Sequence, residues 1–165
     1  MARAKPKPTV ELAAIETLHP HPANPRQGDI GAIVDSIRAS GWWGVAVAQR
    51  STRRVLVGNH RVQAAALAGL DAVPVHWLDV DDDTALRVLL ADNRSNDRAG
   101  YDDAALTALL EDVLRDTGTL DGTLYDGDDL DTLLADALTP EPAASTTAGT
   151  LRRCPKCGHE WDAAA

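Results

Sequence analysis

The run Gly58-Asn59-His60-Arg61 holds the densest chemistry in this chain. It follows the apolar triplet Val55-Leu56-Val57 and opens into Val62-Gln63-Ala64-Ala65-Ala66-Leu67-Ala68, with Gly69 at the end. That order predicts a strand, a one-glycine turn and a helix, an arrangement that aims backbone N–H groups at an anion. Gly58 can take the tight turn and lets a phosphate approach the backbone closely. His60 and Arg61 add side-chain donors at the same helix start, and a guanidinium can hold two phosphate oxygens in parallel. The same residues admit a plain packing reading, in which Ala64, Ala65, Leu67 and Ala68 seat a short helix on a sheet and His60 and Arg61 face water.

Further motifs stand around this run in a fixed order. His21-Pro22-Ala23-Asn24-Pro25-Arg26 and Ser36-Ile37-Arg38-Ala39-Ser40-Gly41 precede it, and Val73-Pro74-Val75 and Asp92-Asn93-Arg94 follow. Together they resemble the ParB/sulfiredoxin-like family over about residues 9 to 98. The next stretch, Ala99-Gly100-Tyr101-Asp102 with Leu106, Leu109 and Leu110, looks like the ParB-like modules found beside phage and mobile-element DNA methyltransferases.

By matching position, the resemblance implies a nucleotide site for a nucleoside triphosphate, CTP or ATP, with Mg²⁺. Gly58, Asn59, His60 and Arg61 would hold the phosphates, as the G-E-R-R motif of partition proteins does. Asn24 and Arg26 of the Asn-Pro-Arg loop would close over the nucleotide. Asp92 and Asn93 match the family's Glu-Asn beside phosphates and Mg²⁺, the position of catalytic residues. Asn59 stands where the partition motif has Glu, His60 where it has its first Arg, and Asn96 where it has a later Arg. The Gly-x-His-Arg form is closer to sulfiredoxins and related serine kinases, but Asn59 occupies the sulfiredoxin cysteine position and cannot form a thiolate nucleophile.

Composition sets the frame for these motifs. A chain of 165 residues supports one ordinary domain with appendages. No apolar stretch approaches the length of a membrane span, and the basic start Met1-Ala2-Arg3-Ala4-Lys5-Pro6-Lys7-Pro8 has no apolar segment behind it, so a cytoplasmic protein is expected. The net charge of −9 is unevenly spread: residues 1–61 carry +5 and residues 62–165 carry −14. The basic part suits phosphate or nucleic acid, whereas the acidic part repels it or serves solubility, so strong DNA affinity of its own is not expected.

The elements follow from spacing. Residues 1–8 read as a disordered basic arm, and Val10–Leu18 as a strand leading into the loop His19–Arg26. Asp29 caps a helix with Ile30, Ile33, Val34 and Ile37 on one face, stopped by Gly41. Trp42-Trp43 lead into Val45-Ala46-Val47, and Ser51–Arg54 turn the chain back along Val55–Val57. The two tryptophans are core and rim packing, or one of them is a stacking platform for a nucleobase. Ala72–Asp79 reads as a strand that puts a structural His76 and Trp77 on opposite faces. Asp82 or Asp83 caps a helix running to Asp92, and Asp102–Arg115 and Asp128–Leu138 form two acidic helices in residues 99–138. These lack the basic face of a helix-turn-helix DNA reader and are packing or docking helices.

Residues 139–150 read as a Pro/Ala/Thr linker, and residues 151–165 as a flexible tail with both cysteines in Cys154-x-x-Cys157. The spacing is that of a zinc knuckle, half of a four-ligand site. The Zn²⁺ readings are an ion shared between two chains of a homodimer, or a knuckle completed by His19 or His21; the alternative is a remnant without metal.

The sequence thus predicts an α/β ParB/sulfiredoxin-like domain followed by acidic helices and a flexible tail. The expected role is a nucleotide-binding accessory module of a phage or mobile-element DNA-processing system, meeting a DNA-modifying protein, or DNA indirectly, and no membrane. The rivals are a ParB-like nuclease or small-molecule kinase using the same pocket, and an interaction module with an inactive pocket.

Overall fold

The computed structural model describes residues 9–138, 151–153 and 160–162. A five-stranded sheet organises the first part of the chain. Its strands are β1 (Val10–Ala14), β2 (His19–Pro20), β3 (Ala46–Gln49), β4 (Arg54–Val57) and β5 (Ala72–Leu78), in the spatial order β1-β5-β3-β4-β2. The β1/β5 and β3/β4 pairs are antiparallel, and the β3/β5 and β2/β4 pairs are parallel. Helices α1 (Ile30–Ser40) and α2 (Asn59–Leu67) pack on each other and on one face of the sheet. Val34 and Ile37 of α1, Val62, Ala64 and Ala65 of α2, and Val55, Val73, Val75 and Trp77 of the sheet form this core.

The strand expected over Val10–Leu18 ends at Ala14, and a 3-10 turn takes Ile15–Thr17. The turn breaks the alternation, so the apolar positions do not share one face. Ala13 and Leu18 are buried, whereas Val10 and Leu12 on this edge strand are exposed. Helix α1 starts and stops as expected: Asp29 Oδ1 accepts from the Ala32 amide at 3.0 Å, and Gly41 ends it at φ 76°. On β5, Trp77 is buried and His76 turns the other way, its Nδ1 3.3 Å from the Thr9 carbonyl.

Helix α3 (Asp82–Asp97) begins and ends differently from the sequence reading. Asp81, not Asp82 or Asp83, is its cap, with Oδ1 accepting from the Thr84 amide at 2.8 Å. The hydrogen bonds from Thr84 hold the Asp81 carboxyl below its ordinary range. Asp82 is instead taken by Gln49, whose Nε2 donates to Asp82 Oδ1 at 2.9 Å and to the Val80 carbonyl at 3.0 Å. Because α3 runs on to Asp97, Asp92 and Asn93 sit inside a helix rather than after one. The helix packs along β4, where Leu56 is 2% exposed, and Leu89 is its most buried large residue at 1%.

Helices α4 (Asp103–Thr117) and α5 (Gly127–Leu138) share a second, smaller core of Leu110, Leu120 and Leu130, with Leu106, Val113 and Leu134 around it. In the tail, where the sequence reading placed no element, β6 (Leu151–Arg153) and β7 (Glu160–Asp162) pair antiparallel. Cys154 and Cys157 lie between them, outside the described residues, as do the basic arm and the linker. No helix among the described residues is long and apolar enough to cross a membrane.

Leu89 fixes the height at which α3 presents Asp92, one turn away. Leu89→Ala should cost about 2–5 kcal/mol of stability through the cavity it leaves, read as a lower urea midpoint with an unchanged slope.

Candidate functional site

Strand β4 is buried in the sheet and must change direction at once to start α2. Gly58 makes that change in the left-handed region, at φ 85° and ψ 26°, as the N-cap of α2. A glycine offers no side chain to cap the helix, so no side-chain hydrogen bond closes this N-terminus. A Cβ here would also stand 3.3 Å from Nη2 of Arg61. The result is a helix start with exposed dipole and a guanidinium beside it, a cradle for an anion.

Arg61 is positioned by three neighbours. Its guanidinium carbon lies 4.9 Å from the centre of the Trp43 ring, and Nη1 donates to the Trp43 carbonyl at 3.4 Å. Gly44 leaves space for Nη1, which a Cβ at that position would occupy. Burial lowers the Arg61 pKa from its ordinary value, and the field of Asp92 opposes that shift. The group stays charged, but it is a cation with part of its water removed, in the field of the Asp92 carboxylate.

His60 and Asn59 divide their work. The His60 ring lies where a Cβ on Gly28 would come within 2.8 Å of Nδ1, so Gly28 is the residue that gives the ring room. Asn59 is 6% exposed, and its Oδ1 accepts the His21 amide at 3.0 Å. Its side chain therefore fixes the loop after β2 rather than reaching outward. His21 is itself 8% exposed, with Nδ1 accepting from the Ala23 amide at 3.2 Å. Burial, followed by the charge of Arg54, pushes the His21 pKa down, against a smaller opposite pull from Asp82. This neutral, engaged imidazole is a structural acceptor in the described fold.

The Asn-Pro-Arg loop meets α3 across the cleft. Asn24 Oδ1 accepts from Asn93 Nδ2 at 3.1 Å and from the Arg26 amide at 3.3 Å. Arg26 Nη1 donates to the Asn93 carbonyl at 3.2 Å and pairs with Asp97 Oδ1 at 3.1 Å. Both partners of that ion pair are about half exposed, so the pair holds Arg26 weakly.

These segments enclose a cleft of about 330 Å³. Gly58, Asn59, His60, Arg61, Asn24, Arg26, Asp92 and Asn93 all line it. Sequence reasoning left four lining residues without a settled role: Trp43, Ile33, Asn96 and Leu124. Of the tryptophan pair, Trp42 packs against the core and Trp43 is 41% exposed on the cleft. The Trp-Trp-Gly spelling was the available signal for Trp43. Leu124, from the connection between α4 and α5, has no local signal. Among the described residues no three His, Cys, Asp or Glu side chains gather as metal ligands.

The profile of the ParB N-terminal domain matches residues 1–94. This chain belongs to the ParB N-terminal domain family. No curated protein matches it. Among solved structures, this ParB N-terminal domain chain is similar to the C-terminally truncated chromosome-partitioning protein ParB from Caulobacter crescentus complexed with CTP-gamma-S. That likeness has a TM-score of 0.58 and 22% identity, and covers 67% of this chain and 66% of the other. The same Caulobacter protein complexed to the centromeric parS site matches with a TM-score of 0.42, 18% identity, and 76% and 64% coverage. A Pnob8-like ParB-N domain matches with a TM-score of 0.47, 16% identity, and 78% and 61% coverage. The chain thus spans just under two thirds of the length of these relatives.

The buried neutral His21 generates a pH prediction. Its folded pKa lies below the ordinary 6.5, so the unfolded chain binds the extra proton first as pH falls. The His21 contribution to stability is present above pH 6.5 and is lost progressively below it, until the folded group also protonates. A ring-proton NMR titration should give His21 a midpoint below the ordinary 6.5, and His21→Gln should flatten the loss of urea stability between neutral and mildly acidic pH.

Proposed function

We propose that this ParB N-terminal domain chain binds a nucleoside triphosphate in the cleft at the start of α2. The reading rests on one observation: eight residues named by type and order in the sequence, from three separate segments, line a single cleft. Phosphate oxygens would take the first amides of α2, with His60 and Arg61 as side-chain donors. Arg26 would leave Asp97 for a phosphate, an exchange that loses little because the ion pair is solvent-exposed. The Caulobacter relative complexed with CTP-gamma-S supports the ligand class.

Mg²⁺ fits this site only together with the triphosphate. The field of the Asp92 carboxylate reaches Arg61, and Asn93, with its amide nitrogen held by Asn24, has a carbonyl oxygen left to accept. One carboxylate, a second oxygen and the phosphates themselves meet the needs of an ion that keeps several waters. The ion would neutralise phosphate charge, while the chain's own residues bind and orient. The absence of a second carboxylate in the Asn59 position favours binding and sensing over rapid hydrolysis.

The wider role is that of an accessory module beside a DNA-modifying, replicating or packaging system of a phage or mobile element. Its support is the resemblance of residues 99–110 to modules of that setting. With α4 and α5 rich in Asp, contact with DNA would run through a partner protein.

Calorimetric titration with CTP, ATP and GTP, with and without Mg²⁺, tests the proposal. Binding of at least one nucleotide is expected, weakened about tenfold or more by Arg61→Ala through loss of charge-assisted bonds. Unchanged affinity in that variant sinks the site. Asp92→Asn should remove most of the Mg²⁺ enhancement while leaving Mg²⁺-free affinity equal or higher, since it deletes a negative charge beside the phosphates.

A further inference from the structure

We infer that the connection between α4 and α5 is the apolar wall for the nucleobase, with Leu124 as its contact residue and a determinant of affinity for nucleoside over bare phosphate. This rests on the nucleotide reading of the same cleft. The family match ends at residue 94, so the match assigns nothing to this segment.

The segment is docked on the first domain, not merely near it. Ser36 Oγ of α1 donates to the Gly122 carbonyl at 2.6 Å. Gly122 has φ 85°, and a Cβ there would stand 2.9 Å from Ser40 Oγ and 3.0 Å from the Ala39 Cβ. Backbone therefore lies directly against α1, at a distance that only glycine permits. Thr123 Oγ1 donates to the Leu120 carbonyl at 2.7 Å, which ties the connection to the small core of α4 and α5. Tyr101 and Tyr125 brace its far side edge to face, with ring centres 6.4 Å apart. Their hydrogen bond pushes the Tyr125 phenol up to about 12.

Held at both ends, the connection puts Leu124 at φ 70°, a conformation that side chains of its size rarely adopt. Leu124 is 47% exposed, yet it lines the cleft with Trp43 and Ile33. Ile33 stands one helical turn before Ser36 on α1, the face on which Gly122 docks. The cleft thus has two chemistries: donors at the start of α2, and an indole, an isoleucine and a leucine. A nucleoside triphosphate has the same two, an anionic end and a flat apolar base. Bare triphosphate uses only the first.

The test compares CTP and ATP with inorganic tripolyphosphate on the full chain, by calorimetry. Leu124→Gly is the primary variant, because glycine takes the positive φ without strain and keeps the fold. Leu124→Asn is the second, since asparagine also tolerates this region but presents a polar group. Both should weaken the preferred nucleotide about tenfold, the effect of losing the apolar area that the base would cover on Leu124, and leave tripolyphosphate affinity within about twofold. Gly122→Ala, which lifts the connection off α1, should produce the same split. Unchanged nucleotide affinity in all three overturns the wall assignment and leaves the phosphate site standing. Equal loss for nucleotide and tripolyphosphate overturns it too, by placing Leu124 at the phosphates. If the unaltered chain binds none of the three probes, the nucleotide site itself fails and the wall falls with it.

Discussion

One left-handed residue joins an inner strand of the sheet to the helix that carries the cleft. With Gly58 at φ 85°, β4 ends and α2 begins within a single residue, and no side chain is present to satisfy the new helix start. The amide dipoles of α2 are therefore directed into the cleft by the hydrophobic core, because Ala64 and Ala65 anchor the helix with no measurable exposure. Everything polar around the cleft is arranged relative to this fixed axis. Any L side chain at position 58 would meet both an unfavourable backbone and the Arg61 guanidinium.

Around that axis the charges are set in opposition. Arg61 is partly stripped of water, with the face of Trp43 on one side and the field of Asp92 on the other. Arg26 is parked on Asp97 across the opening. Each cation has weak partners: an aromatic face, a carbonyl or an exposed carboxylate. A phosphate would offer stronger, charge-assisted bonds than these exposed contacts. Glycines at positions 28 and 44 make the packing possible by leaving the volume that His60 and Arg61 fill.

The acidic part of the chain acquires a definite place in this scheme. Its helices form their own core, but the turn between them is pressed against α1 by a short Ser36 hydrogen bond and a glycine contact. A small core of three buried leucines supplies limited stability alone, so docking against the larger domain is part of what holds it. The contacts that place α4 and α5 against α1 are thus the same few residues that bring Leu124 to the cleft.

The sequence by itself determined the local elements and the identity of the polar cleft residues. Asp29 and Gly41 mark the ends of α1, the β4–Gly58–α2 passage is spelled out in order, and Trp77 and His76 divide the faces of β5 by simple alternation. Those features depend on neighbours within one turn or one strand, which is the range that pattern reading covers. The tertiary structure decided the rest. It put the α3 cap on Asp81 rather than on Asp82 or Asp83, with Asp82 taken by Gln49, far away in sequence. It gave Asn59 Oδ1 to the His21 amide, and the exposed ring of the tryptophan pair to Arg61. It also brought Leu124 to a cleft formed by residues far back in the chain. Each of these rests on a contact between distant segments, whose partner is fixed by how helices and sheet pack and not by any spacing along the chain.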